Sequence, residues 1–165
     1  SLKNINIFST SLSLGINCFE DCSSLEQAIF NCEIIKFNEC LFKNCQKLKE
    51  IKIPNSVSSF GSHCFENCSS LENINIPSNI TKICEFAFAG CLSLEQLSFP
   101  AYLKSIGRNA FDGCSSLRKL DLSYNLKSIG KNALNGCSSL IQISIPSKVN
   151  LKNSGIDSNV KLIKY

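Results

Sequence analysis

Eleven cysteines and one histidine, His63, are the side chains whose chemistry could reach beyond packing. His63 stands beside Cys64, the juxtaposition a thiol nucleophile and its base would need. That chemistry requires the two side chains to face each other, with a third group orienting the base. Here Cys64 should point inward and His63 outward into a turn, and the spacing implies no Asp or Asn partner. Cys18/Cys22 and Cys64/Cys68 are four residues apart, unlike the two-residue pairs of structural zinc sites. No catalytic residue, bound metal or cofactor is expected. Cys32 and Cys40 fall outside the regular cysteine positions and are the candidates for a reactive thiol or an irregular bridge.

The remaining cysteines make sense only through the elements that position them. Cys22, Cys45, Cys68, Cys91, Cys114 and Cys137 recur every 23 residues without an insertion. Three residues after each stands a Leu (Leu25, Leu48, Leu71, Leu94, Leu117, Leu140). Apolar columns follow at six residues (Ile51, Ile74, Leu97, Leu120, Ile143) and eight residues (Phe30, Ile53, Ile76, Phe99, Leu122, Ile145). Pro54, Pro77, Pro100 and Pro146 come next, replaced by Asn31 and Ser123 in two copies. Two further apolar columns lead to a Phe column: Phe19, Phe42, Phe65, Phe88 and Phe111, with Leu134 in the last copy.

Leu-x-x-Ile-x-Ile ends in a period-2 alternation, the mark of a strand with one buried face. Proline ends it, having no N–H for the ladder. The next apolar pair predicts a short second extended segment. Gly15, Gly61, Gly107 and Gly130 follow as turn residues free to take positive φ. The six residues before each Cys are too few for an α-helix and predict one helical or 3₁₀ turn with Ala and Phe inward. Asp21, Asn44, Asn67, Gly90, Gly113 and Gly136 immediately precede the cysteines, and these types tolerate the left-handed region that would close the turn.

Each coil can bury its columns only against the coils above and below. The chain is therefore expected to be a repeat solenoid, a right-handed superhelix of parallel strands. About seven coils at roughly 4.8 Å give a stack on the order of 35 Å. Residues 1–149 form the solenoid. Residues 150–165 depart from the columns at Lys152 and Asn153, as a cap, a frayed end or a truncated next coil. Within the stack the cysteine ladder reads as a small apolar side chain filling one core slot, its Cβ vectors parallel rather than converging on bridges. The Phe column reads as a spine of stacked rings.

Composition narrows the classes further. The chain is 44% hydrophobic and 18% charged, with a formal net charge of +4. Lysines and arginines are scattered singly, which argues against nucleic acid. No run of eighteen apolar residues is present, so no membrane insertion by this segment is expected. The first residues already lie within a repeat and carry no secretory signal, and the chain is expected to come from a longer parent. Its open ends predict end-to-end self-association or coverage by that parent.

The columns Cys-x-x-Leu-x-x-Ile-x-Ile-Pro-x-x-Val-x-x-Ile-Gly-x-x-Ala-Phe, from Leu2 to about Val149, resemble the BspA-like leucine-rich repeats. The resemblance implies a leucine-rich-repeat fold and no catalytic motif. It further implies a cell-surface or secreted module for adhesion-type binding to a protein, such as a host or matrix protein, or to a glycan. A cytoplasmic scaffold for protein–protein interaction is the alternative, since many cysteines without a bridge pattern suit a reducing compartment.

The binding residues are then expected one, two and four positions after the ladder Leu. They are Lys49, Glu50 and Lys52; Glu72, Asn73 and Asn75; Glu95, Gln96 and Ser98; Arg118, Lys119 and Asp121, extended by Ile141, Gln142 and Ser144. Together they should form one continuous solvent-facing sheet surface. Charge there is mixed and aromatic anchors are absent. Tyr102 and Tyr124 fall in the bend that follows the strand. Of two glycosylation sequons, at Asn67 and Asn79, the exposed bend makes Asn79 the usable one.

Overall fold

The computed structural model describes residues 2–165 and is a parallel β-solenoid of about seven turns. Strands are numbered along the chain. The longer strands are β1 (Asn4–Ser11), β2 (Gln27–Glu33), β4 (Glu50–Lys52), β7 (Gln96–Ser98), β9 (Lys119–Asp121), β11 (Gln142–Ile145) and β12 (Lys161–Lys164). Two-residue strands form the second extended segments: β3 (Lys36–Phe37), β5 (Ser59–Phe60), β6 (Lys82–Ile83), β8 (Ser105–Ile106) and β10 (Ser128–Ile129).

All pairings are parallel, and those from β2 to β11 keep the register of the repeat: Ala28 faces Ile51, Leu97 faces Leu120, and Leu120 faces Ile143. Proline bounds the strands it follows without being alone in doing so: β4 and β7 stop after three residues before Pro54 and Pro100, β2 runs on for seven where Asn31 replaces Pro, and β9 stops after three before Ser123. Each Pro carbonyl also accepts the N–H three residues later, as from Val57 to Pro54 at 3.1 Å, so the strand turns at once into the bend.

The core is a set of stripes running through the stack. Phe19, Phe42, Phe65, Phe88 and Phe111 stack ring on ring, with centroids 5.4, 5.6, 5.3 and 5.4 Å apart and planes within 17°. The ladder Leu column and the cysteines from Cys45 to Cys137 are buried beside them.

Two local expectations are corrected. The segment before each Cys forms hydrogen-bonded turns, with neither α- nor 3₁₀-helix assigned among the described residues. Alternate N–H groups leave their own coil: those of Cys40, Phe42 and Asn44 donate to the carbonyls of Ser62, Cys64 and Glu66 at 3.0, 2.8 and 2.8 Å. A 3₁₀ ladder would need those same donors.

The second correction concerns Gly15, Gly61, Gly107 and Gly130, none of which has positive φ. At Gly61, Gly107 and Gly130 glycine is needed for close approach instead. A Cβ on Gly107 would lie 2.8 Å from the Cys84 carbonyl carbon and the Glu85 nitrogen. Positive φ falls two residues later, at Asn17, Cys40, His63, Phe86, Asn109 and Asn132. The residues before the ladder cysteines do have positive φ, from 58° at Asn67 to 76° at Gly113.

Beyond Val149 the chain makes a shortened coil. β12 pairs with β11, Gln142 facing Lys161 and Ile145 facing Lys164, and the Tyr165 hydroxyl donates to the Leu122 carbonyl.

Candidate binding face

Alternation within each longer strand sends one set of side chains to solvent. Glu50 and Lys52 are exposed around buried Ile51, Gln96 and Ser98 around Leu97, and Lys119 and Asp121 around Leu120. Lys49, Glu72, Asn73, Asn75, Glu95 and Arg118 are exposed as well. Register then aligns them into rows. Gln27 meets Glu50, donating from Nε2 to Oε2 at 2.6 Å, while Gln96, Lys119, Gln142 and Lys161 form a second row.

The expected continuity of this surface is corrected. The polar sheet divides into β1-β2-β4 and β7-β9-β11-β12, because Glu72–Ile76 pairs with neither neighbouring coil as a strand. Ile74 and Ile76 still point into the core, but the exposed positions hold Asn73 and Asn75. Residue type does not explain the break, since the same Asn-Ile-Asn-Ile run at Asn4–Ile7 is paired strand in β1.

Electrostatics differ along the face. Lys119 Nζ lies 2.9 Å from Asp121 Oδ2, and Ser144 Oγ donates to Asp121 Oδ1 at 2.7 Å. The Ser144 hydrogen bond, then the lysine, holds the Asp121 carboxyl below its ordinary value. Both partners are more than half exposed, so the pair adds little stability. Arg118 has no ion pair among the described residues and borders a groove of about 300 Å³ with Gln96, Ser98, Lys119 and Asp121. Beyond Ser98 a second cleft, of about 430 Å³, opens towards Asn55, Asn75, Asn79 and Phe99.

The cysteines do more than fill space. The thiol of each buried ladder residue donates to the carbonyl of the spine Phe 26 residues earlier, as from Cys91 to Phe65 at 3.2 Å and from Cys114 to Phe88 at 3.1 Å. Each of these carbonyls also accepts the N–H of the cysteine three residues on, as from Cys68 to Phe65 at 3.2 Å, so the thiol supplies a second, weak donor to a buried turn carbonyl. The sequence offered no signal for it beyond the invariance of the slot within the chain. All eleven thiols are free. Burial pushes Cys45 and Cys137 up to about 12 and Cys64, Cys68, Cys91 and Cys114 well above the usual thiol range.

Cys32 and Cys40 are half-buried, and burial, then the Glu20 charge, raises the Cys40 thiol. That is the opposite of activation. Cys18 is the exposed cysteine and was not singled out by spacing.

His63 does have an acidic partner, one that sequence spacing did not reveal. Its Nδ1 is 2.9 Å from Glu66 Oε2, which also pairs with Lys43 at 3.0 Å. The imidazole stacks on Phe86 at 4.8 Å, and Arg108 covers the same ring. Cys64 is fully buried in the core while His63 lies half-exposed at a corner, so the two form no nucleophile–base pair. Tyr102 and Tyr124 are both exposed in the bend. The Asn79 carboxamide, also exposed, donates to the Asn55 carbonyl at 3.3 Å.

These stripes and turns define a leucine-rich-repeat protein. The BspA type leucine rich repeat region family matches in six copies, over residues 1–100 and 64–164, and the chain belongs to that family. Among solved structures, the T. pallidum leucine rich repeat protein TpLRR is similar with a TM-score of 0.72 and 25% identity, over 83% of this chain and 68% of that one. A leucine rich cell surface protein from Faecalibacterium prausnitzii has a TM-score of 0.66 and 25% identity, covering 87% of this chain. A leucine-rich repeat protein from Bacteroides ovatus reaches 0.61 and 26% identity, covering 99%. The matches span only 48% and 36% of those two chains. No curated protein is significantly similar in sequence. Among the described residues no helix is long and apolar enough to cross a membrane.

Proposed function

We propose that this chain is a non-enzymatic binding module, displayed on a cell surface or secreted, that recognises a protein or glycan through the polar strand face. The observation that carries the reading is the in-register exposure of that face. Lys49, Glu50 and Lys52, then Glu95, Gln96 and Ser98, then Arg118, Lys119 and Asp121 share one side of the stack, above a largely apolar interior. A rigid solenoid presents such side chains without a backbone-ordering cost at binding. Extracellular display draws support from the similar F. prausnitzii protein, described as a cell surface protein.

The test is binding to candidate host and matrix proteins and glycans, by surface plasmon resonance, with Glu72, Glu95, Arg118 and Lys119 reversed in charge. Binding should weaken by at least tenfold; binding that survives all four reversals unchanged would remove the face from consideration. A cytoplasmic scaffold is the second reading, favoured by the eleven free thiols. Thiol titration of protein taken from its native source separates the two, since bridged cysteines there would exclude a reducing compartment.

A further inference from the structure

The polar sheet breaks at one coil, and a cleft opens at the break. Through Glu72–Ile76 no N–H donates to any partner, and of those five carbonyls only that of Glu72 accepts, from Glu95 at 3.3 Å, among the described residues. The neighbouring strands β4 and β7 each pair only on their far sides. The cleft of about 430 Å³ lies between this coil and the next. Its polar lining is carboxamide and hydroxyl: Asn55, Asn75 and Asn79, with Ser78 and Ser98. Its apolar lining is the half-exposed Phe99, above the buried Ile76, Pro77 and Pro100. No charged side chain lines it, although charges stand all along the rest of the face.

We infer that this cleft is a subsite for a neutral oligosaccharide. The inference rests on the binding-module reading of the same face and names the ligand class for one part of it. Carboxamides both donate and accept and so match vicinal sugar hydroxyls, which do the same. The partly exposed Phe99 ring matches the C–H face of a pyranose ring. A few polar groups over an apolar floor are what a small-molecule site requires. The unpaired main-chain groups of Asn75 and Ile76, which line the cleft, add donors and acceptors without a competing ladder.

An acidic ligand would find no cation in the cleft. An extended peptide would need an open sheet edge to extend, whereas this coil is flanked by another on each side. The neutral sugar is the class that fits.

The test uses the chain produced in a bacterium, so that Asn79 carries no glycan over the cleft. It is screened on an array of neutral hexose and N-acetylhexosamine oligomers, and hits are titrated by calorimetry. At least one neutral oligomer should bind. Asn75→Ala and Asn79→Ala, both at exposed positions, should each weaken it by about five- to tenfold, the scale of one lost hydrogen bond. Lys127→Glu, at an exposed position outside both the cleft and the strand face, should leave it unchanged.

Absence of binding to every neutral oligomer at about 10 mM, far weaker than a typical specific site, overturns the inference. So does binding by acidic oligomers alone, or binding that both asparagine variants leave untouched. A protein partner lost on charge reversal, with no sugar bound, would overturn the cleft and leave the face standing. A sugar lost in the asparagine variants, with charge reversal inert towards every protein, would do the converse.

Discussion

Phe88→Ala is the sharpest test of a core made of stripes. The side chain is fully buried, with its ring stacked on Phe65 at 5.3 Å and on Phe111 at 5.4 Å and edge-on to Phe60 at 6.2 Å. Truncation removes the ring's transfer free energy and leaves a cavity that rigid coils on both sides cannot close, a cost of about 3–5 kcal/mol. Each lost aromatic pair contributes roughly 0.5–1.5 kcal/mol within that total.

Phe19→Ala is the internal control. It is the last ring of the spine, half-buried, and stacks only on Phe42. With fewer contacts to lose it should cost no more than about half as much, near 2 kcal/mol. Urea melts followed by circular dichroism, with an independent fluorescence probe to check two-state behaviour, give both values. At this chain length the central variant should lose on the order of 10 °C in Tm. Equal losses for the two variants, or less than about 1 kcal/mol at Phe88, would refute a continuous buried spine.

Gly107→Ala should destabilise by about 2 kcal/mol or more, since its Cβ would press on Cys84 and Glu85 backbone at 2.8 Å. Gly113→Ala meets nothing closer than 3.8 Å and suffers only its φ of 76°, about 1–2 kcal/mol; Gly113→Asn should be milder still, and thermal melts will rank the three. In native protein at pH 8, a thiol reagent should label exposed Cys18 first, while Cys45, Cys64, Cys68, Cys91, Cys114 and Cys137 react only after unfolding; mass spectrometry locates the labels. Stability should fall in alkali. Burial keeps Cys45 and Cys137 protonated to about 12, whereas the unfolded thiols ionise near 9.0, so their contribution is whole below pH 9 and is lost as pH climbs towards 12. Urea melts at pH 7, 9 and 10 check the sign, and the drop should shrink in the Cys45→Ala, Cys137→Ala double variant.

The repeat was legible because a solenoid turns a sequence column into a spatial stripe. Cys45 to Cys68 and Phe65 to Phe88 are separated by 23 residues and by one coil, so period alone placed core, register and exposed face. Other features depend on how closely coils approach, and no column announces that. The second positive-φ column mixes Asn17, Cys40, His63 and Phe86 because neighbouring-coil carbonyls, not residue type, hold the turn. Glycine at position 107 answers to the backbone of Cys84 and Glu85 rather than to its own torsion.

For the proposed binding face, sequence determined which side chains reach solvent, since period 2 admits no other choice once Ile51 and Leu97 are buried. Tertiary structure decided whether those side chains sit on one sheet. They do not: inter-coil hydrogen bonding lapses over Glu72–Ile76 while the side-chain alternation persists. Burial is written in residue type and spacing. Pairing depends on the exact distance between coils, which only the assembled stack sets.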